Sequence, residues 1–174
     1  GKTMQRWREF GGSGGAELLD EWKLAEEAGE EVANLERVLA KGVDPPIERV
    51  ELVLGQEIVG LAMHESSGHP MEADRIFGRE AAQAGESFVK PEKFGMKIGS
   101  ELATVIEDPT IPGSMGFYMF DDEGVPARPR YLYKEGLIWE PLLNRETAHM
   151  LQMKSNGAAR AMNCASEPIV RMSN

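Results

Sequence analysis

The hexapeptide His64-Glu65-Ser66-Ser67-Gly68-His69 carries two imidazoles and a carboxylate, downstream of a strand-like run and inside a helix-like one. Histidine and acidic side chains in such proximity indicate metal chemistry, and we interpret the stretch as part of a zinc site. The familiar zincin motif places its histidines four residues apart, about 40° around a helix, so both face one ion. Here the spacing is five, which separates the imidazoles by about 140° on an ideal α-helix.

A metal site at this spacing therefore requires a distorted helix. A π-type bulge, with its wider turn, would bring positions i and i+5 nearly back over each other, and such bulges gather at functional sites. The flanking residues permit it, because Gly68 tolerates unusual dihedrals and Pro70 disfavours α geometry at His69. Pro70 also has no N–H to donate to the preceding turn.

The helix that carries the hexapeptide is predicted to begin near Glu57, after a strand over 47–54. A second helix is predicted from Met71 to Ala84. Glu72 and Asp74 lie just beyond the candidate ligands, where they either orient an imidazole or act as ordinary helix N-terminal acids. Upstream, apolar residues at three- and four-residue steps predict an amphipathic helix over 16–41.

Beyond Lys90, short apolar runs split by glycine and proline favour strands. The predicted strands cover 103–107, 117–120, 131–134 and 137–142, an extended segment covers 168–172, and Glu135-Gly136 is a candidate hairpin turn. Asn144 is a good cap for a helix over 145–153. The predicted fold class is α+β, with N-terminal helices, including the distorted metal-binding helix, packed on an antiparallel or mixed sheet. We expect one domain over 1–174, helix-rich over 1–85 and strand-rich over 86–174.

Composition excludes several classes of protein. The net charge of −10 and a pI near 4.9 disfavour direct binding to nucleic acid or to anionic lipid, since such binding comes mainly from lysine and arginine. A single cysteine, Cys164, excludes an internal disulfide framework and fits a reducing compartment. No apolar run approaches the roughly 20 residues that cross a bilayer. We expect a cytoplasmic protein.

Other features were weighed as sites. The glycine run over 11–15 is a poor phosphate loop, because Ala16-Glu17 stand where a Lys-Ser or Lys-Thr pair should open the helix. His149 is an alternative metal ligand, although a lone histidine is more often a surface or packing residue. Cys164 is interpreted as a small packed residue rather than a nucleophile. Gly113-Ser114-Met115-Gly116 is a hypothetical cleft edge for an extended peptide.

The run LAMHESSGHPMEADRIFGREAAQAG, residues 61–85, resembles the metal motif of the TldD/PmbA family. The similarity extends through ELATVIEDPTIPGSMGFYMFDDEGVPARP, YLYKEGLIWEPLLN, SNGAARAM and EPIVRMSN. The resemblance implies that His64 and His69 bind zinc and that Glu65 is the catalytic acid/base. The PmbA branch generally lacks this H-E-x-x-x-H motif, so the chain looks like the TldD branch, which comprises zinc metallopeptidases.

The resemblance also implies what lies outside this chain. The family's third ligand is a cysteine beyond the segment that ends at Asn174, and Cys164 does not match it. The family's N-terminal domain also has no counterpart here, so the chain resembles the central part of a TldD protein. With two ligands of three, we expect weak zinc binding or none by this chain alone.

The implied function is hydrolysis of peptide bonds in unfolded or flexible peptides, with Glu65 activating a zinc-bound water. Homodimers, or heterodimers with a TldD/PmbA-type subunit, are the implied assemblies. Two alternatives remain open. One is a non-catalytic assembly subunit of such a dimer, and the other is a modulator of DNA gyrase that does not bind DNA directly.

Overall fold

A computed structural model of the chain describes residues 3–79 and 85–174, which form one compact unit ending at Val53 and another from Leu54 to Asn174. The first unit contains helices α1, Glu17–Glu21, and α2, Leu24–Lys41. The helix predicted over 16–41 is therefore interrupted. The break falls at Lys23, whose φ of 45° is left-handed and incompatible with a continuous α-helix.

The strand predicted over 47–54 is wrong, because these residues have no regular secondary structure. Alternating apolar residues form a strand only where a neighbouring strand supplies hydrogen bonds and an apolar face supplies packing. Neither condition is met here, as the side chains of Ile47 and Val53 are both fully exposed.

The second unit contains a three-stranded antiparallel sheet in the order β1-β2-β3, with bounds Val105–Glu107, Arg130–Lys134 and Leu137–Ile138. Strands β2 and β3 pair Tyr133 with Ile138 across the predicted hairpin turn, which is confirmed. Glu135 and Gly136 have φ values of 52° and 77°, the left-handed pair that a tight two-residue hairpin requires. The strand predicted over 137–142 is shorter than expected, because β3 ends at Ile138.

A second antiparallel pair joins β4, Ala159–Arg160, to β5, Ile169–Val170. Strand β5 confirms the extended segment predicted over 168–172, whereas β4 was not predicted. The strand predicted over 117–120 is wrong. The N–H of Phe117 donates to the carbonyl of Ser114 within a turn, and the N–H of Tyr118 donates to the carbonyl of Pro109, so neither residue belongs to a strand.

Helix α3, Gln56–Met63, leads into the metal motif, and α4, Ala73–Ile76, follows it. The helix predicted over 71–84 is therefore shorter where it is described, because Gly78 adopts a left-handed φ of 78° just after α4. Its predicted part over 80–84 lies outside the described residues. Helix α5, Arg145–Met150, begins at Asn144, which forms the predicted cap through a reciprocal pair of hydrogen bonds with Thr147.

The core of the second unit lies between α4, the sheet, α5 and β5. Its buried apolar residues are Met71, Ala73, Ile76, Val89, Leu132, Tyr133, Ile138, Leu142, Leu143, Ala148, Ala158 and Val170. Helices and small antiparallel sheets together confirm the α+β class. Within the described ranges, no helix combines the length and the apolar character needed to cross a bilayer.

A buried ion pair between Arg130 on β2 and Glu107 on β1 holds the sheet to the end of the chain. The Arg130 guanidinium also donates to the carbonyl of Asn156 at 3.0 Å and to the hydroxyl of Tyr118 at 3.0 Å. Glu107 in turn accepts from the backbone N–H of Ser173 at 2.6 Å. Because these charges are fully desolvated, their hydrogen bonds compensate the cost of burial.

Candidate metal centre

The metal motif begins where α3 ends and the backbone widens into a π turn over His64–Gly68. The N–H of His69 donates to the carbonyl of His64, which is the i to i+5 hydrogen bond that defines such a turn. The predicted helix distortion is thereby confirmed. One hydrogen bond joins the backbones of the two candidate ligands and determines their relative orientation.

The π turn brings the two imidazoles together. Their ring centroids lie 4.6 Å apart, and the rings are nearly perpendicular at 86°. One donor atom from each of His64, Glu65 and His69 lies within 4.8 Å of the others, so the three donors are close enough to share one cation. The side chains of His64 and Glu65 are about half exposed or more, at 52% and 64%, which leaves the centre open to solvent.

Three contacts stabilise the π turn, two within the helix and one with a distant segment. The Ser66 hydroxyl donates to the carbonyl of Ala62, and the Ser67 hydroxyl contacts the Met63 sulfur at 3.6 Å. Gly68 packs against Met172, with so little space that a Cβ at position 68 would lie 1.7 Å from the Met172 sulfur. A glycine is needed here for close approach of another segment, rather than for the dihedral freedom that the sequence suggested.

A short 3₁₀ turn over His69–Met71 follows and changes the chain direction at Pro70. It ends at Glu72, whose fully buried carboxylate lies 3.0 Å from Nδ1 of His69. Asp74 is also buried, but its carboxylate accepts from the backbone N–H of Val170 at 2.8 Å. The two acids thus have different partners, an imidazole nitrogen for Glu72 and a backbone N–H for Asp74.

The other candidate residues lie apart from this cluster. Among the described residues, the grouping of histidine, cysteine and acidic donors close enough to bind a metal consists of His64, Glu65 and His69, and includes neither His149 nor Cys164. Cys164 is exposed, which corrects its interpretation as a packed residue.

The glycine run over 11–15, which resembles a phosphate loop only in composition, contacts an acidic side chain of the protein. The N–H of Gly15 donates to the carboxylate of Glu17 at 2.7 Å, so this backbone donor already has an acidic partner within the protein. The same contact lowers the pKa of the Glu17 carboxyl, because a backbone donor favours its charged form.

A groove of about 620 Å³ borders the metal centre. Its lining includes His64 and Gly60 from the metal motif and the helix before it, together with Val105, Leu132 and Ser173. Gly116 is not among the residues lining this groove and packs instead against the backbone of Ser173, where a Cβ would lie 2.5 Å from the carbonyl oxygen. The hypothetical cleft edge over 113–116 therefore does not border this groove.

Comparison with known proteins identifies the family whose model this sequence matches. Residues 47–174 match the family model described as the PmbA/TldA metallopeptidase C-terminal domain. A protein of Methanothermobacter thermautotrophicus named "Metalloprotease" is 39% identical over 96% of this chain and 35% of its own length. A protein of Saccharolobus solfataricus named "Zinc metalloprotease TldD homolog" is 29% identical over 82% of this chain and 31% of its own length.

Among solved structures, TldE from Thermococcus kodakarensis is 25% identical, with a TM-score of 0.49 over 67% of this chain and 24% of that one. The chain spans about a third of the length of the two relatives named above, at 35% and 31%.

Proposed function

The chain belongs to the PmbA/TldD metallopeptidase family, and from that premise we propose that it is the zinc-binding part of a peptidase that hydrolyses unfolded or flexible peptides. The observation that carries the proposal is the π turn, which gathers the donor atoms of His64, Glu65 and His69 within 4.8 Å of one another. A chain that needed only two polar helix-end histidines would have no use for this rare and costly backbone distortion.

The donor set fits zinc. Neutral imidazoles are preferred zinc ligands, and catalytic zinc sites combine three protein ligands with one open position. His64 and His69 would hold the ion. The Saccharolobus relative is named as a zinc metalloprotease, which supports zinc as the metal. Because the chain spans about a third of its relatives, we propose that it is the central part of a longer polypeptide, in which a cysteine beyond Asn174 supplies the third ligand.

Glu65 is the proposed general acid/base. When bound, zinc polarises the scissile carbonyl and lowers the pKa of a coordinated water to about 7. The Glu65 carboxylate, which is 64% exposed beside His64, accepts a proton from the attacking water. It then donates that proton to the nitrogen of the departing amine, so the peptide bond breaks without a covalent intermediate. The groove lined by His64 offers an extended peptide a place beside the cluster, and Glu65 and His69 line a second cavity.

The test compares Glu65→Gln with the unchanged full-length protein. We expect both to contain zinc, because the histidines remain, and we expect Glu65→Gln to lose nearly all hydrolysis of an unfolded fluorogenic peptide, by about 10²–10⁴-fold. Glu92→Gln, the same change at an exposed acid outside the cluster, is the matched control and should leave the rate unchanged.

Equal activity of Glu65→Gln and the unchanged protein would overturn the catalytic assignment. A full-length protein that contains no zinc and hydrolyses nothing would favour the alternative function, a non-catalytic subunit of a TldD/PmbA-type dimer. Size measurement of the full-length protein, alone and mixed with such a subunit, tests the proposed homodimer or heterodimer directly.

A further inference from the structure

Glu72 makes more contacts with the surroundings of the metal centre than any role in helix capping requires. One carboxylate oxygen lies 3.0 Å from Nδ1 of His69, 2.7 Å from Nε of Arg75 and 3.9 Å from a guanidinium nitrogen of Arg171. The other oxygen accepts from the backbone N–H of Met172 at 3.3 Å. The side chain is completely buried, so water does not compete for these contacts.

The backbone on both sides of Glu72 is fixed. Its φ and ψ of −70° and 117° are extended, and a single parallel bridge joins it to Leu142. In that bridge the N–H of Ala73 donates to the carbonyl of Leu142 at 3.1 Å, and the N–H of Leu142 donates to the carbonyl of Met71 at 2.8 Å. The carboxylate is consequently held at one place against the imidazole.

The chemistry of these partners determines which imidazole nitrogen carries the proton. A guanidinium can only donate hydrogen bonds, and a carboxylate paired with it can only accept them. In a neutral imidazole, His69 Nδ1 must then be the donor toward Glu72, which leaves the lone pair on Nε2. In the opposite tautomer, two acceptors would face each other across 3.0 Å in a buried site.

We propose that Glu72 is a positioning residue that holds His69 in the Nδ1–H tautomer, presents Nε2 to the metal and joins the segment at Met172 to the same carboxylate. This inference rests on the proposed metal centre and extends it to a residue that does not bind the ion. Met172 is then held at two points. Its side chain packs against Gly68, and its backbone N–H donates to the residue that orients the imidazole.

The first experiment needs no mutation. In the metal-free chain with ¹⁵N-labelled histidine, side-chain nitrogen shifts and two-bond couplings report the tautomer of each imidazole. We expect His69 to be in the Nδ1–H form. Observation of the Nε2–H form would overturn the proposal whatever the behaviour of any variant.

The second experiment uses Glu72→Gln, which keeps the shape of the side chain but supplies both an acceptor and a donor. We expect a mixed or reversed tautomer at His69, and zinc affinity of the full-length protein, measured by competition with a chelator, about 10–100-fold weaker. Asp74→Asn is the matched control, since it also neutralises a buried carboxylate, one that accepts the backbone N–H of Val170 on β5. It should lower the melting temperature without changing the tautomer or the zinc affinity.

The failures of the two proposals are distinguishable. Absence of zinc from the unchanged full-length protein contradicts the metal centre, and the positioning role with it. Zinc binding that Glu72→Gln leaves unaltered, with the His69 tautomer also unaltered, contradicts the positioning role alone. An equal loss of affinity in Asp74→Asn would show that general destabilisation is responsible, and would overturn the role of Glu72.

Discussion

The sulfur of Met172 lies against the Cα of Gly68, 1.7 Å from the place where a Cβ would be. The contact joins the π turn to a residue more than a hundred positions away in the sequence. Gly68 lies between the two candidate ligands, so the packing of the segment at Met172 depends directly on the shape of the metal-binding turn.

Gly68→Ala should therefore displace Met172 and disturb the π turn. We expect a loss of about 1–3 kcal/mol in the free energy of unfolding, because overpacking forces neighbouring groups to move. Denaturant titration measures it. Gly60→Ala is the control, because a Cβ there meets nothing within 4 Å and alanine favours the helix. The double variant with Met172→Ala should recover part of the loss, and strict additivity would contradict direct contact.

Arg130→Met should be among the most damaging substitutions in the second unit. It leaves the Glu107 carboxylate buried, at 3% exposure, without its guanidinium partner. Breaking a buried pair in this way costs about 3–5 kcal/mol in the free energy of unfolding.

Arg128→Met provides the comparison, since Arg128 pairs with Glu140 from a half-exposed position, and exposed pairs contribute about 0–1 kcal/mol. Thermal and denaturant unfolding measure both variants. Equal losses would contradict the argument from desolvation.

Tyr133→Phe should stabilise the protein, most clearly at alkaline pH. Burial raises the pKa of the Tyr133 hydroxyl to about 12, and this hydroxyl has no hydrogen-bond partner in the described part of the chain. Tyrosine is charged when deprotonated, so the folded state holds its proton more tightly than the unfolded chain, whose pKa is about 10. The stability contributed by the neutral form is therefore complete below pH about 10 and is lost as pH rises toward about 12.

Unfolding measured between pH 8 and 12 should show a shallower alkaline decline in Tyr133→Phe than in the unchanged protein. Tyr118→Phe is the contrast. Burial also raises the pKa of Tyr118, but its hydroxyl donates to the carbonyl of Gly157 at 2.6 Å. Its removal should destabilise the protein by about 1 kcal/mol at neutral pH. A stabilising Tyr118→Phe together with a destabilising Tyr133→Phe would contradict both assignments.

His149→Asn should leave the zinc content and the peptidase rate of the full-length protein unchanged. His149 lies in the last turn of α5 and does not belong to the donor cluster of His64, Glu65 and His69. His64→Asn, the same change at a proposed ligand, should abolish tight zinc binding. Metal analysis after dialysis measures both, and loss of zinc from His149→Asn would show that a distant imidazole completes the site.

Local sequence was sufficient for the features that depend on nearest neighbours. The hairpin turn at Glu135-Gly136 and the cap at Asn144 follow from residue types that few other conformations suit. The π turn was predictable because five-residue spacing is incompatible with a regular helix if both imidazoles serve one ion. The prediction of a strand over 47–54 was wrong, because alternating apolar residues indicate an apolar face but do not specify what covers that face.

By itself, the sequence determined the chemistry of the candidate centre, since two imidazoles and a carboxylate at His64, Glu65 and His69 are chemical identities carried by the chain. Tertiary structure alone decided what surrounds them. Glu72 contacts the imidazole of His69, Asp74 accepts from the N–H of Val170, and Met172 requires a glycine at position 68. The physical reason is that the contacts of Gly68 and Glu72 with Met172 join positions about a hundred residues apart, so their distances are set by how β5 and the segment after it pack in the folded core.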